Sequence, residues 1–505
     1  MAAGLLLGSF IAIPRAHAGG FEFPDLGTLP IGRGTAFVAK ADSLDAWHYN
    51  PAGLAKGSGP QLMISGNVVH MDSRFTRRGS GDMVVPPDND GMAVRDPLVD
   101  PNTDAPWATV KNGKRFGPAP MMVFSWGDVG IKGLAISAGV SPPSGFGGQS
   151  WPSRGAQRYV IRKGDFLFLF GGVGLSYRPN RWFAIGANFT MGYFAADFDV
   201  ATRQGAVGDK QNEEWSSDNV ARIQVRDRFV PGGQIGVLSQ PLDWLELGLS
   251  VRLPMHTKAR GSLRYTPGPD NGEAELASKS RVDLDQTLPT VIRAGVRYVH
   301  RVFDVEADFV WENYGSQKKI DVEFSNPDGD FAPGEGEVYG NPKLLYLDSF
   351  GNGTAYSPLV ATDVPLDFRD TYSVRLGSDI EIWPGHITVR GGGFWSSTAY
   401  PSDYRTYSLR FPYAEMLGFG GGLTWHALPQ LDVTAGYMHV FSPEVRVTNG
   451  IVQANAYRDP SNTVKLGNIV DNGTYRARID TFGLALQARF WAARGRSRPR
   501  SKGTT

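Results

Sequence analysis

The residues whose types and spacing could do chemistry here do not spell a hydrolytic or nucleotide-binding site. No G-x-S-x-G, H-E-x-x-H or P-loop occurs, and none of the eight histidines falls at metal-ligand spacing. Acidic runs at Asp88 and Asp90, and at Asp328, Asp330 and Glu335, could take calcium, but without EF-type spacing they read as solvated loops. The chain does offer charge laid out with a period of two. Between Val302 and Val322, Asp304, Glu306, Asp308 and Glu312 share one face, and Phe303, Val305, Ala307, Phe309 and Trp311 share the other. The preceding run puts Arg293 and Arg297 on the charged face and Ile292, Ala294, Val296 and Tyr298 on the apolar one. A turn at His300-Arg301 that pairs Tyr298 with Phe303 sets Arg297 against Asp304 and Arg293 against Asp308; the next turn sets Asp379 against Arg390. Such pairs contribute ~0.2–1 kcal/mol each in a wet lumen, whereas a charge facing lipid costs ~2–4 kcal/mol near the midplane. The charged face is therefore expected to line a lumen.

Two further stretches break this alternation. Leu134 to Val140 alternates, and then Ser141-Pro142-Pro143-Ser144-Gly145-Phe146-Gly147-Gly148 interrupts it. Proline cannot donate to a ladder, so the strand either ends there in an outer loop or bends out of the wall. The segment Phe21 to Leu54 is apolar yet keeps neither helical nor strand period, and Gly, Pro and Asn punctuate it. Its free amides and carbonyls need partners away from water, so it reads as a plug inside a large barrel.

The elements that must position these residues are strands. Candidates run from Gln61–Arg77 to Thr474–Phe490, and short turns such as Pro179-Asn180 and Trp383-Pro384-Gly385 alternate with long loops. About fourteen strands are expected, the even number that returns both termini to the periplasmic side. No apolar run of eighteen residues follows the N-terminus, which excludes spanning helices, and a barrel hides from hydropathy because its strands alternate. A soluble β-sandwich would also alternate; the aromatic strand ends and the N-terminal leader argue against it. Residues 1–18 read as a signal peptide, with an apolar run from Leu5 to Ile13 and Ala16-His17-Ala18 before Gly19. The net charge of +1 gives no nucleic-acid footprint, and zero cysteines exclude a disulfide scaffold. The last strand ends at the aromatic Phe490, and a basic tail, 491–505, runs on with Arg494, Arg496, Arg498, Arg500 and Lys502.

Gly32-Arg33-Gly34-Thr35-Ala36 followed by Asn50-Pro51-Ala52-Gly53-Leu54 resembles the N-terminal hatch of the FadL family, outer-membrane transporters of long-chain fatty acids and other hydrophobic compounds. Leu288-Pro289, which opens the eighth strand as the family's Leu-Pro does, Phe309-Val310-Trp311-Glu312-Asn313-Tyr314 and Tyr437-Met438-His439 extend the resemblance over nearly the whole mature chain. It implies an all-β fold: a transmembrane antiparallel barrel of about 14 strands over 58–490, plugged by a hatch over 19–57. It implies a monomer in the outer membrane, among lipid and lipopolysaccharide, passing a hydrophobic small molecule without a cofactor. Asn50, Pro51, Ala52 and Gly53 are then gating residues. Pro142, Pro143, Gly145, Phe146 and Gly147 form an inward bend that leaves a lateral opening, and Lys318 falls on a headgroup-binding position. The matching Ala195-Ala196-Asp197 is not basic, which leaves room for a less charged ligand. A lipid hydrolase with a Ser and a His at membrane level and an open aqueous porin are the alternatives.

Overall fold

The computed structural model describes residues 26–79, 97–142, 148–203, 213–216, 218–266, 268, 275–276, 281–325, 344–347, 353–356, 364–454, 457–458, 464–465 and 468–490. The expected signal peptide, the acidic stretches at 88–90 and 328–335, residues 143–147 and the basic tail lie outside them.

Period-two patterning becomes fourteen antiparallel barrel strands. They are β1 (Gly59–Arg77), β2 (Phe116–Gly127), β3 (Leu134–Ser141), β4 (Lys163–Asn180), β5 (Phe183–Arg203) and β6 (Asp218–Leu242). Three more come in two arms: β7 (Leu245–Arg252 and Met255–Thr266), β8 (Arg281–Leu288 and Val291–Val299) and β9 (Phe303–Glu312 and Lys319–Ser325). The rest are β10 (Thr371–Trp383), β11 (Ile387–Ser396), β12 (Met416–Leu428), β13 (Leu431–Phe441 and Val445–Val447) and β14 (Gly473–Arg489). Each pairs with its successor, and β1 pairs with β14 from Gln61↔Arg489 to Arg77↔Gly473, which closes the sheet into a barrel. Along β9, Asp304, Glu306 and Asp308 are buried while Val305 and Phe309 are exposed, the inside and outside of the wall.

The Asp379↔Arg390 pairing is as expected. The β8–β9 register differs by two residues, with Tyr298 opposite Val305 and Arg297 opposite Glu306. The turn is wider than expected: His300 N–H donates to the Phe303 carbonyl at 2.9 Å, so Val299 meets Asp304. A shift of two keeps every face, and Arg297 still reaches Asp304 diagonally at 2.6 Å, but Arg293 faces Val310 and not Asp308. Pro289 does not open β8. It sits between the two arms, where its missing N–H interrupts the ladder.

Above this level a large apolar cluster fills the lumen, with the buried ion pairs Arg77–Glu213 and Arg158–Asp218 beside it. Tyr314, Phe368, Tyr400, Tyr407, Tyr475 and Phe75 form a chain of ring contacts with centroids 4.6–5.9 Å apart, carried partly by the segment between β11 and β12.

Candidate functional site

The N-terminal segment lies inside the ring of strands. It contains α1 (Thr28–Ile31), α2 (Ala46–Tyr49) and a 3-10 turn over Pro51–Lys56, joined by irregular backbone with positive φ at Gly34, Thr35 and Ala41. Room for it comes from inward-facing glycines. A Cβ at Gly139 would strike Trp47, one at Gly186 Pro51 and Ala52, and one at Gly236 Asn50. At Gly248 it would strike Val38, at Gly377 and Gly392 Arg33, at Gly420 Ile31, and at Gly436 and Gly483 Thr28. One glycine on most strands thus lets the wall approach the segment's backbone.

Polar contacts then fix it. Arg33 is fully buried and reaches Asp304 at 2.8 Å, Glu306 at 3.1 Å and also Asp379. Asp308 accepts the backbone N–H groups of Phe37 and Val38 at 2.8 and 3.0 Å, and Glu306 accepts those of Ala39 and Lys40 at 2.7 and 3.1 Å. The alternating carboxylates of β9 therefore do not line a wet lumen, because the amides and guanidinium of the segment take the place of water there. Asn50 Nδ2 donates to the Val38 and Val237 carbonyls, both at 3.0 Å, and its Oδ1 accepts Ala52 N–H at 3.2 Å. Pro51 starts the 3-10 turn, where no amide is required, and its carbonyl accepts Ser176 Oγ at 2.7 Å. Gly53 packs directly on the Ala41 carbonyl.

Next to this anchor, β3 stops short. It pairs with β2 from Gly127↔Ala135 to Met122↔Val140, and with β4 from Leu134↔Tyr177 to Ser141↔Phe170. Pairing to β4 resumes only at Gln149↔Gly164. Among the described residues, the upper half of β2 and residues 165–169 of β4 therefore lack a β3 partner. Pro142 is buried at that end, in a cavity of about 40 Å³ whose lining includes Trp47, His48, Ser141, Phe170, Thr190, Arg252 and Met255. The structure thus brings Pro142 alongside the Trp47–Gly53 stretch. Lys318 stays apart: it is exposed between the arms of β9, and its Nζ donates to the Phe368 carbonyl at 2.8 Å. Pro143, Gly145, Phe146 and Gly147 lie outside the described residues.

Sequence reasoning names only one residue of a three-arginine cluster. Arg252, Arg293 and Arg375, from β7, β8 and β10, act together on His48, and burial with their charges pushes its imidazole well below the ordinary value. Arg293 is buried, and its Nε and Nη1 meet no hydrogen-bond partner among the described residues. Their signal was inward parity on separate strands, visible for Arg293 but silent on which strands would face one another across the lumen. On the other side of the segment, towards the short turns, a cavity of about 370 Å³ is lined by Lys40, Asp42, Asp45, Arg301, His426, Asp432 and Arg489.

A family model for outer membrane protein transport proteins (OMPP1/FadL/TodX) matches residues 9–470. The chain belongs to this family. It is an outer-membrane transport protein and not an enzyme. A FadL homologue from Pseudomonas aeruginosa is similar at 15% identity and a TM-score of 0.68, over 94% of this chain and 100% of that one. The Ralstonia pickettii toluene transporter TbuX is similar at 14% and 0.56, over 94% and 100%. The Pseudomonas putida toluene transporter TodX follows at 12% and 0.57, over 92% and 98%. At such identities the likeness concerns the fold. No curated protein sequence matches the chain.

Proposed function

We propose that this FadL-family protein carries hydrophobic small molecules with an acidic head group, long-chain fatty acids foremost, and releases them sideways between β2 and β4. The observation that carries this reading is the arginine cluster Arg252, Arg293 and Arg375 at the small cavity by the unpaired end of β3, where Phe170, Pro142 and Met255 meet Arg252. A chain entering from outside meets aromatic walls first, and Phe168, Phe170 and Phe194 lead down to Pro142. Arginines there complement a carboxylate, whereas Lys318 lies away from this cavity on the Phe368 carbonyl and Asp197 would repel one. Straight descent would take an apolar tail through the charged lower cavity, while each CH₂ kept in apolar surroundings retains about 0.8 kcal/mol. Displacement of the Trp47–Gly53 stretch opens the route. Neutral aromatic hydrocarbons are the second reading, favoured by the same aromatic walls and by the toluene transporters of like fold.

The test is uptake of radiolabelled oleate and of labelled toluene by cells expressing wild type or Arg293→Gln. A fall of five- to tenfold in oleate uptake with toluene unchanged supports the acidic ligand. Unchanged oleate uptake by a folded variant excludes this anchor, and toluene uptake alone favours the second reading.

A further inference from the structure

We infer that the outward face of β6 and β7 just above the membrane is a binding surface for the phosphates of lipopolysaccharide. Neighbouring strands break at one level there. β6 shifts register between Asp227 and Val230, β7 stops at Arg252 and resumes at Met255, and β8 stops at Leu288 and resumes at Val291. The pairings Arg252↔Val291 and Met255↔Leu288 put the last two breaks side by side. Interrupted backbone is not tolerated against hydrocarbon, so the row of breaks marks the outer edge of the apolar band. The outward side chains agree. From Trp244 to Leu253 they are apolar and exposed, including Leu247 and Leu249. At ~3.3 Å per residue and a tilt of ~40° that run rises roughly 23 Å, close to the ~25 Å band of outer-membrane barrels.

Directly above the edge the exposed residues become Arg226, Arg228, Lys258 and Arg260. Arg226 lies straight across the ladder from Arg260, an arrangement of like charges that destabilises a sheet unless an anion joins them. The nearby carboxylates balance only the β7 half of the patch. Asp283 meets Arg260 at 3.2 Å, and Asp285 pairs with Lys258 across the ladder. Asp227 instead accepts the backbone N–H groups of Phe229 and Lys258 at 3.0 and 2.8 Å. Arg226 and Arg228 have no ion pair among the described residues. A second opposed pair, Arg74 and Arg476 near the β1–β14 seam, is different: Asp72 takes the first at 2.7 Å and Glu444 the second at 2.6 Å. The unbalanced charge therefore sits at headgroup height, next to exposed apolar residues, where guanidinium groups can hold phosphate in two-point contacts. The phosphorylated glucosamines of lipid A, with acyl chains below them, have that layout.

Native mass spectrometry of the full-length protein, purified in detergent, provides the test with bisphosphorylated lipid A and fully dephosphorylated lipid A as probes. Wild type should retain the bisphosphorylated lipid at least fivefold better than the dephosphorylated one. Arg226→Gln/Arg260→Gln should lose that preference, while Arg476→Gln keeps it. Heat-shifted gel mobility confirms that each variant is folded; if the double variant does not fold, Arg228→Gln/Lys258→Gln replaces it with the same expectation. Equal retention of the two lipids by wild type, or an undiminished preference in the folded β6–β7 variant, overturns the assignment.

Discussion

Asn50 shows how one side chain fixes a segment that has no regular structure. Its amide joins two carbonyls from different parts of the molecule, Val38 of the segment and Val237 of the wall, while its carbonyl holds the amide of Ala52. Asn50→Ala leaves those two carbonyls unsatisfied and should weaken docking of the segment by about 1–3 kcal/mol. The barrel, whose ladders do not involve Asn50, should still show a heat-shifted band. Hydrogen exchange in residues 38–55 should rise and ligand uptake should change; exchange at the wild-type rate would remove Asn50 from the anchor. His48 adds a pH dependence. Its folded value lies well below the ordinary 6.5, so above that pH neither state is charged and nothing is lost. As pH falls below 6.5 the unfolded chain takes up a proton that the folded segment refuses, and docking weakens. Protection factors in the segment, which correct exchange rates for their intrinsic pH dependence, should therefore fall between pH 7.5 and 5, and less steeply in His48→Gln. The Asn-Pro pair was readable in the sequence because an asparagine before a proline-started turn has a local job. Arg33 was not, since its carboxylates lie more than 250 residues away along the chain.

Strands and their glycines act at the next scale. Inward and outward faces could be read from the sequence because lipid and lumen demand opposite chemistry at alternate positions. What escaped was why so many strands carry glycine. On β12, Gly420 faces in and a Cβ would collide with the Ile31 carbonyl, whereas Gly421 faces out with its nearest atom 4.0 Å away. Gly420→Ala should push α1 off the wall, costing about 1–3 kcal/mol of docking and raising single-channel conductance in planar bilayers. Gly421→Ala should stay within about 0.5 kcal/mol of wild type. Equal behaviour of the two would show that the wall does not need the close approach. The register error at His300-Arg301 has the same origin as its harmlessness: period two fixes the face and leaves turn width to local hydrogen bonds. Pro289 was misplaced because strands that continue beyond the membrane can break there without exposing amides to lipid.

For the whole molecule, closure of fourteen strands joins β14 to β1, and among the described residues the wall is interrupted where β3 ends at Ser141-Pro142. Beyond the Ser141↔Phe170 pair, neighbouring amides of β2 and β4 lack β3 partners among the described residues, and Pro142 borders the cavity that Trp47 covers. Replacing Pro142 and Pro143 with Val and Thr returns two N–H donors and two residues at ease in a strand. The double variant should extend the β3–β4 ladder towards the Gln149↔Gly164 pair and narrow the opening. Slower amide exchange along β4 would register the new pairing. Oleate uptake should then fall several-fold, while small-ion conductance, which depends on the plugged central path, stays near its starting value. A loss of both together would mean that the barrel itself was damaged. Full uptake through a demonstrably paired β3 would mean that the ligand leaves past α1 and the charged lower cavity, and the lateral route would fall.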